Sequence, residues 1–166
     1  MLRKIFVISD THFGHENILK FTGEDGAHLR PFNSVEEMNE CMITKWNETV
    51  GEQDIVYHLG DVFFGKGHEC LKQLNGRKRL ILGNHDNGKS KHLQDGFQKI
   101  SVWRMFPEHN LVLTHIPILI PEVAKYQYNV HGHIHDRQSP TDFHINVSCE
   151  VVDYTPVDIE SLCPAR

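Results

Sequence analysis

The sequence predicts an α/β fold that contains two β-sheets. The first half of the chain contains three short apolar runs, at residues 3–9, 54–59 and 78–82. Segments with a helical pattern lie between these runs. Strands separated by helices are typical of crossover connections and a parallel sheet. In the second half, turn residues separate four strand-like segments that predict a mixed or antiparallel sheet: 98–103, 110–115, 128–132 and 143–148. The 166 residues contain no repeat, low-complexity tract or linker, so we expect one domain over 1–166.

The clearest helix signal lies between the first two strands. Ser34 and Glu37 have the spacing of a capping box. In this motif the Ser34 hydroxyl accepts the free backbone N–H of Glu37, and the Glu37 carboxylate accepts the backbone N–H of Ser34. Apolar residues then recur at helical spacing and predict a core-packed helix that Gly51 ends. They are Val35, Met38, Met42, Trp46 and Val50. Four shorter elements are predicted around it: a helix at 15–20, a loop at 21–33, a helix over 66–75 closed by Asn75-Gly76, and a last helix from Thr155-Pro156.

The composition is that of an ordinary globular protein, with 39% hydrophobic and 23% charged residues. The net charge of -5 argues against strong non-specific binding to nucleic acid, because phosphate backbones attract positively charged surfaces. It leaves a nucleic-acid substrate possible, since bound divalent metals would make the local field positive. The 13 His residues are an unusually high count, and histidine is the commonest metal ligand.

The cysteines and the N-terminus predict a cytoplasmic protein. The four cysteines have no CxxC spacing and are interpreted as reduced thiols: Cys41, Cys70, Cys149 and Cys163. The apolar run from Ile5 to Ile8 is too short for a signal peptide or a membrane span, so we expect no membrane association. The oligomeric state is left open between a monomer and a small homo-oligomer.

Polar clusters directly follow the three predicted parallel strands. The first strand leads into Asp10 and His12, the second into Asp61, and the third into Asn84 and His85. Ligands of open α/β sheets bind beyond the carboxyl ends of the strands, so these side chains should converge although they are distant in sequence. Two further clusters follow strand-like segments of the second half: His115, and His131-Gly132-His133-Ile134-His135.

These residue types favour metal binding. Carboxylates, an amide oxygen and imidazoles suit Mn, Fe, Zn or Ni better than Ca or Mg, which prefer sites made of oxygen alone. Each motif is weak by itself, because Asp-x-His and Gly-Asp also occur by chance or in ordinary turns. Gly132 lets the backbone turn closely where His133 and His135 could reach adjacent metals. The presence of all five motifs, each after an apolar strand, strongly indicates a metal site.

The five motifs resemble those of the calcineurin-like metallophosphoesterase superfamily. That family has Asp-x-His, Gly-Asp, Gly-Asn-His-Asp/Glu, a single His and Gly-His-x-His, in this order. The corresponding segments here are Asp10-Thr11-His12, Gly60-Asp61, Gly83-Asn84-His85-Asp86, His115 and Gly132-His133-Ile134-His135. The resemblance covers residues 10 to 135 and implies a two-sheet β-sandwich flanked by helices, with α/β/β/α layers.

The resemblance also implies a role for each motif residue. It implies two divalent metal ions, with Mn favoured and Fe, Ni or Zn as alternatives. Their ligands would form two half-sites bridged by Asp61: Asp10, His12 and His135 in one, and Asn84, His115 and His133 in the other. A hydroxide shared by the metals would attack phosphorus. His85 would protonate the leaving oxygen, and Asp86 would orient His85 by accepting its other ring N–H.

Four residues near the motifs are outside the predicted ligand set, and two of them have more than one interpretation. His15 and Asn17 lie in a Phe-Gly-His-x-Asn-Ile stretch that resembles small bacterial and phage members of the superfamily. They could contact the phosphate or the metal ligands, or simply start a helix. His58 lies inside the second strand and is interpreted as a core residue with satisfied hydrogen bonds. His131 is expected to face away from the metal that His133 would bind.

Two features that are missing from the sequence limit the range of possible substrates. The protein-phosphatase branch continues Gly-Asp with an Asp-Arg-Gly step whose Arg grips the phosphate, whereas Asp61 here is followed by Val62-Phe63-Phe64. The chain also lacks the long insertions with which larger nuclease members hold DNA. We therefore expect a phosphodiesterase acting on small or flexible esters, such as nucleotides and cyclic nucleotides. The alternatives are a phosphomonoesterase, a nuclease on nucleic-acid ends, and a non-catalytic scaffold on the same fold.

Overall fold

The computed structural model describes residues 3–23, 25–121 and 126–162, which form two β-sheets with flanking helices. The strands are β1 Ile5–Ile8, β2 Ile55–His58, β3 Arg77–Ile81, β4 Lys99–Ser101, β5 Arg104–Phe106, β6 Leu111–Leu113, β7 Tyr128–His131, β8 His144–Asn146 and β9 Val157–Asp158. The α-helices are α1 Val35–Thr49 and α2 Lys91–Gly96, and 3-10 helices cover Glu16–Lys20, Gly65–Gln73, Pro107–His109 and Ile159–Leu162. The predicted α/β fold is confirmed.

The first sheet has the strand order β4-β3-β2-β1-β9, in which β1 to β4 are parallel and β9 is antiparallel to β1. Ile8 pairs with His58 and His58 pairs with Leu80, so the three central strands end side by side. The short last helix predicted from Thr155-Pro156 is present as a 3-10 helix, but it begins later, at Ile159, because β9 comes first. In this position β9 satisfies the hydrogen-bonding groups along the open edge of β1.

The second sheet has the strand order β5-β6-β7-β8, with β5 antiparallel to β6 and the other pairs parallel. This mixed sheet is one of the two forms that the sequence predicts. The assignment of 98–103 to this sheet is wrong, because Ile100 in β4 pairs in parallel with Leu80 in β3 of the first sheet. The short helix α2 supplies the crossover that a parallel β3–β4 connection requires.

The two faces of the first sheet contribute to two separate cores. Along β1, Phe6 and Ile8 pack in a cluster that also contains the α1 residues Met38, Met42 and Trp46. Val7 points to the opposite face and packs with residues of the second sheet, such as Leu113 and Val130. This alternation follows from the two-residue period of a strand. The first sheet therefore lies between a helical layer and the second sheet, and the sandwich flanked by helices is confirmed.

Helix α1 begins as predicted, with one difference in its capping. The Ser34 hydroxyl accepts the backbone N–H of Glu37 at 3.1 Å. The Glu37 carboxylate, however, accepts the backbone N–H of Asn33 at 2.8 Å, one residue earlier than a capping box requires. The helix ends at Thr49, just before Val50 and Gly51. The apolar stripe predicted for this helix lies in the core, with four of its residues buried and Val35 partly buried.

The helix predicted over 66–75 is present as a 3-10 helix at Gly65–Gln73.

The cysteines and the helices bear on two further predictions. Among the described residues, Cys41, Cys70 and Cys149 are free thiols, as predicted. Burial raises the pKa of the Cys70 and Cys149 thiols, which keeps them protonated near neutral pH. Cys163 lies outside the described residues. None of the helices that the structure describes combines the length and apolar character needed to cross a membrane.

Candidate metal centre

The predicted ligands follow the carboxyl ends of five strands, β1, β2 and β3 of the first sheet and β6 and β7 of the second. The two sheets are joined at this end. Ser9, just after β1, forms a parallel bridge with Ser148, just after β8. Across this junction, the Asp10 carboxylate accepts the backbone N–H of His133 at 2.8 Å. The fold thus brings together motifs that lie more than a hundred residues apart.

The backbone of these loops is held in an uncommon conformation. Among the described non-glycine residues, eight have a positive φ, and five of these are predicted ligands: Asp10, His12, Asp61, His133 and His135. Such conformations are rare for residues with a Cβ and persist only where surrounding contacts fix them. Here the backbone N–H of His12 donates to the Asp61 carbonyl at 3.0 Å. Strained positions cluster at functional sites, so this pattern independently marks the loops as a candidate site.

Two glycines allow the loops to approach each other. A Cβ at Gly60 would lie 2.5 Å from the backbone nitrogen of Gly83, and its φ of +103° also disfavours other residues. A Cβ at Gly132 would overlap the side chains of Ser9 and Asp10. The close turn predicted at Gly132 therefore has a physical cause, because the backbone there lies directly against the Asp10 carboxylate.

The first predicted half-site is assembled in the structure. One possible ligand atom each from Asp10, His12 and His135 lies within 4.8 Å of the others. Asp10 and His12 are buried, and the ring centroids of His12 and His135 are 5.2 Å apart. These three residues could therefore hold one metal ion.

The second predicted half-site is assembled in the same way. Possible ligand atoms of Asp61, His115 and His133 lie within 4.8 Å of one another. The amide oxygen of Asn84 is 2.8 Å from Nε2 of His115, and Nδ1 of His133 is 3.2 Å from the same nitrogen. All four predicted residues of this half of the site therefore converge.

Asp61 lies between the two half-sites. Its Oδ2 atom is 3.8 Å from Nε2 of His12 and 3.5 Å from Nε2 of His115. The other oxygen, Oδ1, accepts the backbone N–H of His85 at 2.9 Å. Oδ2 is therefore directed toward imidazoles of both groups, which is the arrangement that a bridging ligand needs.

Unsatisfied polar atoms provide a test of whether a metal fits this cluster. Oδ1 of Asp10 and both ring nitrogens of His12 are buried without a hydrogen-bond partner. Buried polar atoms normally have partners, because leaving one unsatisfied costs free energy. A carboxylate and an imidazole that face each other in this state fit a divalent metal ion, and the amide and further imidazoles suit a transition metal.

The electrostatics keep the two carboxylates ionised. Burial alone would raise the pKa of Asp10, but the adjacent His12 ring, with Nε2 at 3.7 Å from Oδ1, and the nearby charge of His115 hold the pKa well below its usual range. For Asp61, the opposing effect of burial is likewise outweighed by the His115 ring, whose Nε2 lies 3.5 Å from Oδ2, and its pKa is lowered. Both carboxylates are therefore anionic at neutral pH, the state in which they bind metal.

His85 lies beside the cluster, but its predicted contact with Asp86 is absent. The His85 side chain is exposed, with its ring 6.0 Å from that of His12 and 5.4 Å from that of Phe64. In the described part of the chain, the Asp86 carboxylate does not accept the His85 ring N–H. It instead accepts backbone N–H groups of Gly83, Asp61 and Val62, at 2.9, 2.8 and 3.1 Å. The Asp86 carboxylate therefore binds backbone N–H groups in place of the His85 ring, and it links the loop after β3 to the loop after β2.

The structure separates the two residues of the Phe-Gly-His-x-Asn-Ile stretch. The His15 ring stacks on Phe64 at 4.1 Å and lies 5.6 Å from the His12 ring. Burial, followed by the charge of His12, lowers the pKa of His15 to about 4. The Asn17 side chain is exposed, and its amide oxygen accepts a hydrogen bond from Lys20 at 2.8 Å. His15 is thus at the edge of the cluster, whereas no described contact links Asn17 to it.

Two other histidines near the cluster have partners elsewhere. Nδ1 of the buried His58 accepts the backbone N–H of Gly60, so Nε2 carries the proton and donates to the Thr11 hydroxyl at 2.9 Å. Burial lowers the pKa of His58 to about 3, which keeps it neutral. The His131 ring contacts the Gly132 carbonyl and the Ser139 hydroxyl. The interpretations of His58 as a core residue and of His131 as a non-ligand fit this geometry.

A buried ion pair supports the first half-site, and no motif in the sequence indicated it. Arg30 is fully buried, and its guanidinium donates to the backbone carbonyls of Asp10 and Thr11. It also donates to Glu150, at 2.7 Å. Oε1 of Glu150 in turn accepts Nδ1–H of His135 at 3.0 Å.

This ion pair orients a predicted ligand. Because Nδ1 of His135 is bonded to Glu150, Nε2 is left free for a metal, an arrangement that is common for metal-binding histidines. Arg30 and Glu150 are 120 residues apart, and each resembles an ordinary charged residue in the sequence. Only the complete burial of Arg30, which requires a partner for its charge, reveals the pair.

Comparison with known proteins gives the same family that the five motifs indicate. The family model described as calcineurin-like phosphoesterase matches residues 3–158. Uncharacterized protein MJ1445 of Methanocaldococcus jannaschii is 37% identical over 171 aligned residues, covering 96% of this chain and 89% of that protein. The gene 66 protein of Mycobacterium phage D29 is 24% identical over 196 residues, covering 95% and 94%.

A solved structure is similar over nearly the whole chain. The crystal structure of AQ665 from Aquifex aeolicus, a protein of unknown function, has a TM-score of 0.78 and 25% identity to this chain. The similarity covers 97% of this chain and 98% of that one. The family match extends over most of the chain and includes every motif from Asp10 to His135. The chain therefore belongs to the calcineurin-like phosphoesterase family.

Proposed function

We propose that the chain is a two-metal phosphodiesterase that hydrolyses small or flexible phosphate esters, such as nucleotides and cyclic nucleotides. The observation that carries this proposal is the pair of candidate ligand groups that Asp61 links, with buried ligand atoms left unsatisfied inside it. Family membership supports a phosphate ester as the substrate class.

The proposed ligands are those of the two assembled half-sites. Asp10, His12 and His135 would hold one ion, Asn84, His115 and His133 would hold the other, and Asp61 would be a ligand shared by both. Bound divalent ions, with Mn favoured and Fe, Ni or Zn as alternatives, would acidify water and withdraw charge from the phosphate oxygens. The protein contributes the fixed placement of these ligands, to which the Glu150–His135 contact adds.

His85 is the proposed proton donor. Hydrolysis adds a water oxygen to phosphorus and breaks the bond to the leaving ester oxygen, which takes up a proton. The exposed His85 ring is next to the cluster, and its backbone N–H is bonded to Asp61, so its position is tied to the proposed bridging ligand. General acid catalysis of this kind contributes about 10²–10⁴ in rate. His15, which is neutral at neutral pH, is proposed to contact the bound ester without donating a proton.

The preference for a small ester rests on charge and on the missing Arg. The net charge of -5 disfavours a long nucleic-acid substrate, and no Arg follows Asp61 at the gripping position of the protein phosphatases. Phosphomonoesters remain the nearest alternative, because the same metal pair serves both ester classes. We further propose a cytoplasmic protein with reduced thiols, as a monomer or small homo-oligomer.

A hydrolysis panel with metal-free and reloaded protein tests the proposal. The panel compares aryl phosphodiesters, 2′,3′- and 3′,5′-cyclic nucleotides, phosphomonoesters, and short DNA and RNA, each with and without Mn. We expect no turnover after chelation, restored turnover with Mn, and the highest kcat/KM on a small diester. Full activity of the metal-free protein would contradict the metal assignment. A higher kcat/KM on monoesters or on nucleic acid would contradict the substrate class.

A further inference from the structure

An apolar groove of about 720 Å³ begins at the candidate metal centre. Asn84 and His115, proposed ligands of the second half-site, form part of its lining. The remaining lining is mostly apolar and includes Trp103, Met105 and Ile116. The volume lies within the range of pockets that bind small molecules. The groove is therefore continuous with the place where the phosphate would bind.

The groove exposes side chains that would ordinarily be buried. Trp103 is 55% exposed, Val102 is 65% exposed and Ile116 is 48% exposed. Single exposed apolar residues are normal, but contiguous ones that line a concave surface mark a binding site. Because Trp103 presents a large flat ring, it offers a surface on which another flat ring can stack.

The described part of the lining contains no acidic side chain and no Lys or Arg. The Thr114 hydroxyl already donates to the Ile116 carbonyl at 2.6 Å and accepts from Asn129 at 2.8 Å. A polynucleotide backbone would find no Lys or Arg among the described lining residues, whereas an uncharged aromatic group would meet a complementary surface.

The position of His85 indicates which part of the ester faces the groove. The His85 ring lies toward the His12 and Phe64 rings, at 6.0 and 5.4 Å, whereas the groove begins at Asn84 and His115. A leaving oxygen protonated by His85 would be on the His12 side. The side with the groove is then left for the substituent that stays on phosphorus.

We propose that the groove binds the retained substituent of a phosphodiester, and that this substituent is a flat aromatic group stacked on Trp103. This inference rests on the proposed function. The shared chemistry is an aromatic ring, as a nucleobase or as a simple aryl group. The groove would thereby favour diesters, because a monoester has no retained substituent to place there.

Three p-nitrophenyl diesters test the proposal with one constant leaving group. Their retained substituents are methyl, phenyl and 5′-thymidine, so any difference among them arises from the retained group. For Trp103→Ala we expect KM to rise roughly tenfold on the phenyl and thymidine esters, the range that loss of one stacking contact produces. The methyl ester should change less than about twofold. A larger effect on the thymidine ester would identify the ring as a nucleobase, and equal effects would identify a general aryl site.

Matched variants separate stacking from general damage. Trp103→Phe should keep most of the affinity, because a flat ring remains. Phe143→Ala removes another half-exposed aromatic ring, outside the groove, and should leave all three KM values unchanged. Equal rises of KM on all three esters would place the leaving group in the groove instead. Unchanged KM values together with an altered oligomeric mass would assign the groove to a second copy of the chain.

A binding measurement gives a readout that does not depend on turnover. The sequence contains two Trp residues, and Trp46 is buried in the core. Thymidine 5′-phosphate is the product that keeps the retained thymidine of the third diester. Added to the Mn-loaded protein, it should therefore quench mainly Trp103 fluorescence, and Trp103→Ala should abolish the quenching. If the wild-type protein hydrolyses none of the diesters, the proposed function fails. If it hydrolyses them but Trp103→Ala alters neither KM nor quenching, only the groove assignment fails.

Discussion

At the scale of single residues, the two oxygens of Asp61 have different tasks. Oδ1 accepts the His85 backbone N–H, and Oδ2 faces both His12 and His115. The surrounding loops are arranged around this carboxylate, since the Asp61 backbone N–H is itself held by Asp86. One side chain therefore connects both proposed metal ions to the proposed proton donor.

Replacing this carboxylate should affect both metal ions together. Asp61→Asn keeps the size and the hydrogen bond to His85 but removes the negative charge between the half-sites. We expect the affinity for Mn at both sites to fall by at least about 100-fold, more than loss of an outer partner usually costs. Calorimetric titration of the metal-free protein measures both sites. Asp95→Asn, which removes an exposed carboxylate on α2, is the control. One site of unchanged affinity would rule out the bridge.

His85 should affect turnover without affecting metal content. His85→Ala removes the proposed proton donor but none of the proposed ligands. We expect kcat to fall about 10²–10⁴-fold on alkyl leaving groups, which need a proton, and much less on p-nitrophenol. Metal analysis should show an unchanged content, and His28→Ala, at an exposed loop position, should behave as wild type. Equal losses on both kinds of leaving group would contradict the general-acid role.

At the scale of elements, the strands that precede the motifs could be predicted from the sequence. The placement of β4 and β9 and the Arg30–Glu150 ion pair could not. Apolar runs such as 54–59 correspond to buried strands, because a parallel strand is covered on both faces. The placement of β4 and β9 depends on which sheet edge is open, and that is a property of the assembled fold. The contact of Arg30 with the loop after β1 likewise depends on Glu150, which is brought near only by folding.

The Arg30–Glu150 pair should act on one half-site selectively. Glu150→Gln keeps the side-chain shape but weakens the acceptor for His135 and leaves the buried Arg30 charge without its counter-ion. We expect metal affinity at the Asp10–His135 half-site to fall about 10–100-fold, with the other half-site changed much less. Calorimetric titration resolves the two, and Glu160→Gln at an exposed position is the control. An equal loss at both sites would mean that Glu150 only stabilises the fold.

At the scale of the whole molecule, the candidate site depends on both sheets. Asp10, His12 and Asp61 come from the ends of first-sheet strands, and His115, His133 and His135 come from the second sheet. The motif order predicted this convergence, because the carboxyl ends of parallel strands meet at one edge. The groove was not predictable, since Trp103 lies in no motif and the motif residue His115 gives no indication that Ile116 after it shares a surface with Trp103. Exposure and proximity, which define the groove, exist only in the folded chain.

Because the ligands assemble only in the folded protein, metal binding should stabilise the whole molecule. A ligand that binds only the folded state, at 100 times its Kd, stabilises by about 2.7 kcal/mol, which raises the Tm of a domain of this size by roughly 5–10 °C. We expect this rise when Mn is added to chelator-treated protein in a thermal melt. His85→Ala should show the full rise, since it keeps all proposed ligands, and Asp61→Asn should show little of it. Equal Tm values with and without Mn would mean that the two ligand groups do not hold metal in the native fold.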